Sequence, residues 1–146
     1  MEQILELHRP ILCSTPTFEV KIADSLQEIE AALKLRFKVF NLEMNEGLQS
    51  SFETGFDSDV YDTMCDHLIV KERSSGAVVG TYRLLPQTKA SQHIGFYSEN
   101  EFDLSVFKAL PGEALELGRS CVAKEFRSPQ ANLVAKVLVV SLVEVI

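Results

Sequence analysis

Leu115-Glu116-Leu117-Gly118-Arg119-Ser120-Cys121-Val122 is the stretch whose reading decides this chain. It has the composition of a strand, yet it carries a carboxylate and a guanidinium three residues apart. Strict alternation would send Glu116 and Arg119 to opposite faces of a sheet. Gly118 between them is the residue expected at a bulge, and a bulge brings both to one side. A second strand repeats the anomaly: in Val78-Val79-Gly80-Thr81-Tyr82-Arg83-Leu84-Leu85 an arginine interrupts an apolar run. Charges removed from water must be paired. Three arginines (Arg36, Arg83, Arg119) and four acids (Glu43, Asp59, Asp62, Glu116) are the available partners. Two readings stay open, a structural ion-pair network and a functional polar pocket.

The other elements arrange around these strands. Residues 1–16 read as a loose arm punctuated by Pro10 and Pro16. Thr17 to Ala23 alternates and reads as a first strand. Ser25 with Glu28 predicts a capping box. It opens a helix with Leu26, Ile29, Leu33, Phe37 and Phe40 at helical spacing, and places Arg36, Phe40 and Glu43 on one face. Gly47 to Asp59 is polar and turn-like, a mobile loop by composition. His67–Glu72 and Ala77–Leu85 flank Ser74-Ser75-Gly76, a hairpin signal. Residues 91–112 hold a short apolar element, an acidic stretch and the Pro111-Gly112 turn. Residues 17–146 therefore read as one α/β unit, with a mostly antiparallel sheet flanked by helices.

At 146 residues the chain has the length of a single domain. No apolar run reaches the ~20 residues of a membrane-spanning helix. Met1-Glu2-Gln3-Ile4-Leu5-Glu6 lacks the basic start and apolar block of a secretory signal. Cys13, Cys65 and Cys121 are odd in number and far apart, which favours reduced thiols in a cytoplasmic protein. The net charge of −7 argues against a nucleic-acid partner. That charge is uneven. Between Val39 and Val70 there is no Lys or Arg but there are seven acids, and Arg119, Lys124, Arg127 and Lys136 reverse the sign later. These are two solvated faces, or an acidic pocket for a cationic substrate and a basic rim for an anionic one.

Other chemistry is weak. Cys65-Asp66-His67 cannot turn three adjacent side chains toward one ion, so no metal is expected. No Ser-His-Asp pattern and no Walker or Rossmann glycine loop is present. Arg127-Ser128-Pro129-Gln130-Ala131-Asn132 lies between a strand and a predicted helix, whose N-terminus could hold a phosphate. Ala131 to Ile146 is apolar at 12 of 16 positions and ends without a polar cap. The expectation is a truncated chain, or one whose last dozen residues, within 134–146, are out of register with their ancestors.

Five ordered strings carry a family resemblance: Leu35-Arg36-Phe37-Lys38-Val39-Phe40; Tyr61-Asp62 with Cys65-Asp66-His67-Leu68; Val79 to Leu85; Gly95-Phe96-Tyr97-Ser98 with Glu101-Phe102-Asp103-Leu104; and Glu116 to Val122. Over residues 17–133 the chain resembles the ornithine N-acyltransferases of ornithine-lipid synthesis. These are a GNAT-like branch related to the acyl-homoserine-lactone synthases. The signal synthases usually carry a tryptophan after the Arg/Phe helix, and this chain has none.

The resemblance implies an incomplete GNAT-like fold whose C-terminal strands are missing. It also implies transfer of a 3-hydroxy fatty acyl group from acyl carrier protein to the α-amine of ornithine. The donor would ride on the carrier's phosphopantetheine, with no further cofactor, and the enzyme would be cytoplasmic with peripheral contact at the inner membrane face. In that scheme Glu116 is the general base. Asp59, Asp62 and Glu43 hold the cationic acceptor beside Phe40. Arg36, Arg83 and Arg119 order those acids and take the acceptor's carboxylate. Backbone N–H groups near Cys121 and Val122 serve the oxyanion, and Arg127 with Ser128 serves the donor phosphate. The alternatives are a signal synthase acting on S-adenosylmethionine and a non-catalytic remnant.

Overall fold

The hairpin predicted at Ser74-Ser75-Gly76 is the centre of the molecule. In the computed structural model, which describes residues 10–128, β3 (Asp66–Glu72) and β4 (Val78–Pro86) pair antiparallel across it. Gly76 closes the turn at φ +72°, the left-handed region open to glycine, and donates its N–H to Glu72 O at 2.8 Å. β2 (Phe18–Ile22) adds to the outer side of β3, and β5 (Leu115–Val122) to the outer side of β4. With β1 (Ile11–Ser14) at the edge, every described pairing in the five-stranded sheet is antiparallel, in the order β1-β2-β3-β4-β5.

The first of these strands corrects the loose-arm reading over Ile11–Ser14, while residues 1–9 of that arm lie outside the described residues. Ile11–Ser14 forms β1 and pairs with β2. Pro16 does not prevent this, because it falls in the connecting turn. Thr15 closes that turn: its N–H donates to Phe18 O, and its Oγ1 accepts from the N–H groups of Thr17 and Phe18.

Helix α1 (Leu26–Arg36) starts where Ser25 predicts, with Ser25 Oγ accepting from Glu28 N–H at 3.2 Å. Glu28 reaches back one residue further than a capping box requires, to Asp24 N–H at 3.2 Å. The buried stripe is not the expected one. Leu26 is exposed, whereas Ala32, Leu35, Arg36 and Val39 turn inward at i, i+3, i+4 and i+7. After Arg36 the helix widens into a π segment, Phe37–Glu43, which rotates the later side chains relative to a regular continuation.

The core lies on both faces of the central strands. Val20, Leu68, Val70 and Leu84 pack together, while Ile69 on the other face meets Ala23 and Ala32. A smaller cluster of Tyr61, Met64, Leu85, Ala90 and Phe96 fills the end beneath α3 (Gln87–Gln92). The segment read as a mobile loop folds a helical turn, α2 (Ser51–Thr54), and sends Ser51 and Asp57 into the interior. A further turn of helix, α4 (Ser105–Lys108), precedes β5. The expectations for residues 134–146 and Lys136 lie outside the described residues. Among the described residues no helix is long and apolar enough to cross a membrane.

Candidate functional site

The three arginines placed among apolar residues meet Asp57, Asp59 and Asp62 in one cluster, while Glu43 and Glu116 are held by other donors. Arg36, 1% exposed, donates from Nε to Asp57 Oδ2 at 2.7 Å, and from Nη1 and Nη2 to the two oxygens of Asp62 at 2.7 and 3.1 Å. Arg83 Nη1 donates to Asp59 Oδ1 at 2.7 Å. Arg119 Nη2 donates to Asp57 Oδ1 at 3.1 Å. Three guanidinium groups thus face three carboxylates, and the cluster is electrically neutral. Such pairing is what permits ions to be buried at all, since each loses several kcal/mol of hydration.

Asp59 and Asp62 owe their spacing to local structure. They form a capping box on the 3₁₀ turn Val60–Thr63: Asp59 Oδ1 accepts from Tyr61 N–H at 2.9 Å, and Asp62 Oδ2 from Asp59 N–H at 2.8 Å. Burial alone would push the Asp62 carboxyl up, but the bidentate Arg36 holds it below the ordinary carboxylate range. Both acids are therefore engaged by arginine in this structure, and Glu43 is engaged by Arg127 Nη2 at 2.7 Å.

Asp57 is the member that sequence reasoning missed. It was legible as one of seven acids in a cation-free stretch, but the turn-like composition around it argued for solvent. Its burial depends on Arg36 and Arg119, which lie on α1 and β5. His67, 3% exposed, also joins, with Nε2 3.4 Å from Asp62 O. Burial and the nearby Arg36 outweigh Asp62 and hold its imidazole below the ordinary histidine value. Burial likewise pushes the thiols of Cys65 and Cys121 up to about 12. Asp66 turns instead to Lys89 at 2.9 Å, so the three consecutive residues 65–67 diverge.

The β5 bulge forms where Gly118 predicts, but Arg119 supplies the left-handed residue, at φ +51°. Arg83 pairs with Gly118 and Thr81 with Cys121, so β5 carries one extra residue between the two pairs. Before the bulge Glu116 stands opposite Leu85 and lines a cavity of about 50 Å³ with Arg83, Tyr97, Ser98 and Gly118. Three donors fix its carboxylate: Ser98 N–H at 2.9 Å and Ser98 Oγ at 2.6 Å to Oε1, and Tyr97 N–H at 2.9 Å to Oε2. The same carboxylate borders an apolar cavity of about 230 Å³ lined by Phe96, Leu104, Phe107 and Leu115. Tyr61 supports this wall: Arg83 stacks 5.6 Å over its ring, Tyr97 meets it edge-on at 5.6 Å, and Asn100 Nδ2 donates to its hydroxyl at 2.7 Å.

The remaining sequence candidates fall elsewhere. Phe40 lies under Arg119, with 5.3 Å from guanidinium to ring. Cys121 is a core residue, and Val122 O accepts from Arg127 Nε at 2.7 Å. Ser128 is exposed at the end of the described chain. The acidic and basic stretches do not form two separate faces. Glu43 meets Arg127, Asp57 meets Arg119 and Lys38 meets Glu125, because the turn after β5 returns alongside α1 and its π segment.

Comparison with known proteins gives the chain a family and a fold. The chain is 42% identical over 120 residues to the L-ornithine N(alpha)-acyltransferase of Agrobacterium fabrum, covering 77% of this chain and 41% of that protein. Proteins of the same name match from Brucella abortus (41% identity, 81% of this chain and 45% of that protein) and Rhizobium meliloti (40%, 81% and 43%). The chain thus spans less than half the length of these curated relatives. Two solved structures share the fold. FeeM, an N-acyl amino acid synthase from uncultured soil microbes, matches with a TM-score of 0.60 at 13% identity, over 90% of this chain and 67% of that one. The acyl-homoserine-lactone synthase LasI matches with a TM-score of 0.53 at 19% identity, over 86% and 66%. Residues 35–136 match the acetyltransferase (GNAT) domain, and the chain belongs to that family.

Proposed function

We propose that this chain carries the acceptor-binding and proton-accepting part of an N-acyltransferase. The reaction moves a (3-hydroxy) fatty acyl group from the phosphopantetheine of acyl carrier protein to the α-amine of ornithine, the first step of ornithine-lipid synthesis. The observation that carries the proposal is the Glu116 carboxylate, oriented by Tyr97 and Ser98 and set beside Arg83 in a small cavity. The names of the relatives support ornithine as acceptor.

An ammonium group cannot attack a thioester; it must first lose a proton. Each carboxylate oxygen has two lone pairs, and Oε2 of Glu116 receives one hydrogen bond from Tyr97, so one remains for the amine proton, directly or through a water. The freed nitrogen attacks the thioester carbonyl carbon. The attached nitrogen then gives up a second proton, the tetrahedral adduct collapses to the amide and expels the phosphopantetheine sulfur as a thiol carrying that proton, and the proton first taken by Glu116 passes to solvent. Arg83 uses Nη1 on Asp59, and the rest of its guanidinium takes the acceptor's carboxylate as a charge-assisted pair. Asp59, Asp62 and Asp57 act by fixing the arginines. The acyl chain is apolar, and the cavity lined by Phe96, Leu104, Phe107 and Leu115 offers matching surface next to Glu116.

The test uses the purified chain, and a chimera completed with the remaining length of the Agrobacterium fabrum relative. Each is incubated with 3-hydroxyacyl carrier protein and a panel of amines that includes ornithine and S-adenosylmethionine. N-acylornithine detected by mass spectrometry supports the proposal. Acylation of S-adenosylmethionine alone would replace it with the signal-synthase reading, and absence of any acylated amine would sink both.

A further inference from the structure

Arg119 is an arginine held in a left-handed conformation inside a strand. Non-glycine residues persist there only when their surroundings over-determine them. Its surroundings do so from two sides: the Phe40 ring lies 5.3 Å beneath the guanidinium, and Asp57 Oδ1 accepts from Nη2 at 3.1 Å. Asp57 is itself immobilised. It is fully buried, its Oδ2 accepts from Arg36 Nε at 2.7 Å, and its backbone N–H donates to Leu33 O at 3.2 Å. This one side chain therefore ties the bulge of β5 to helix α1.

The bulge has a consequence beyond its own residue. Before it, Glu116 pairs with Leu85 and Gly118 with Arg83; after it, Cys121 pairs with Thr81 and Val122 with Gly80. Side chains alternate with a period of two, so removing the extra residue from the pairing shifts one half of β5 by a single position and turns each of its side chains to the other face. With Cys121 anchored in the core, the half that would turn is the one bearing Glu116. The carboxylate would then leave Tyr97, Ser98 and Arg83.

We propose that Asp57 is a positioning residue for Glu116: by holding Arg119 in its left-handed bulge, it fixes the β5 register that aims the Glu116 carboxylate into the Arg83–Tyr97–Ser98 cavity. The catalytic consequence rests on the acyltransferase reading; the structural relationship does not.

The test reads the Tyr97 and Ser98 amide protons by NMR in the 146-residue chain. Glu116→Ala defines their signature without the carboxylate. Asp57→Asn is expected to move both amides toward that signature while those of Val20 and Val70 stay in place. Adding Arg119→Gly to Asp57→Asn is expected to restore them, because glycine adopts the left-handed conformation without an anchor. If Asp57→Asn does not fold, two single variants decide the matter. Arg119→Gly should keep the native amide positions, and Arg119→Val, which loses the same anchor but cannot hold a positive φ, should lose them. Unshifted Tyr97 and Ser98 amides in Asp57→Asn, or equal behaviour of the Gly and Val variants, overturns the proposal. In the chimera, Asp57→Asn should lower kcat on the order of 10²-fold with ornithine KM little changed, the effect of a misplaced base. A loss confined to KM counts against the assignment. The amide readout needs no turnover, so it stands or falls separately from the acyltransferase reading.

Discussion

Glu43 and Arg127 form an ion pair at 2.7 Å, joining the end of the π segment after α1 to the turn after β5. Arg127 was the expected partner of the donor's phosphate, and Glu43 that of the acceptor's ammonium. Their pairing makes the two expectations interdependent.

The first prediction follows from that pair. Its side chains are 39% and 20% exposed, so solvent screens it and its coupling should lie between about 0 and 1 kcal/mol. Urea unfolding of Glu43→Arg, Arg127→Glu and the charge-swapped double variant should show the double variant recovering what the singles lose. If Arg127 also guides the carrier-bound donor, donor KM stays raised in the double variant. A donor KM restored together with stability would show that Arg127 acts only through Glu43.

Glu116→Gln keeps the shape and one acceptor oxygen of the side chain but removes its basicity. In the chimera kcat should fall about 10²-fold or more, the usual size of a general-base contribution. Ser98→Ala removes one of the three donors and should cost less than Glu116→Gln. Steady-state kinetics with ornithine varied checks both, and an unchanged kcat in Glu116→Gln removes the residue from the role.

Stability should decline as pH falls, through two titrations that begin at different pH. His67 titrates lower in the folded chain than in the unfolded one, so from about pH 6.5 downward the unfolded state takes up more protons and stability declines. The decline stops once the folded imidazole is also protonated. Asp62 is held below its ordinary 3.8, so its contribution is complete above that value and is lost as pH falls through the lower folded value. Urea midpoints measured from pH 7.5 to 3 should show both steps. His67→Gln should erase the upper one and leave the lower; an upper step that survives assigns it to another group.

Gly118 has room for one carbon. A methyl group there would lie 4.0 Å from Nε and Nη2 of Arg83, an ordinary contact, and its backbone is not left-handed. Gly118→Ala should therefore leave stability nearly unchanged. Gly118→Val adds two methyl groups at the wall of the cavity of about 50 Å³ and should raise ornithine KM while leaving donor KM in place. Equal effects on both substrates would place the acceptor elsewhere.

Hydrophobic alternation, the Ser25 cap and the Ser74-Ser75-Gly76 turn were enough to place β2, α1, β3, β4 and β5 from the sequence, because each depends on neighbours a few residues away. The bulge was legible for the same reason, from Glu116, Gly118 and Arg119 alone. Strand β1 was not, since four residues between two prolines become a strand only when β2 offers its edge. Asp57 was hidden for a related reason: nothing within ten residues of it is cationic, and its partners Arg36 and Arg119 approach from distant parts of the chain. The sequence by itself determined which residues carry charge in apolar strands. Only the tertiary structure decided which charges neutralise one another, because a buried ion is satisfied by whatever the fold brings within hydrogen-bond distance, and that distance is not written in sequence spacing.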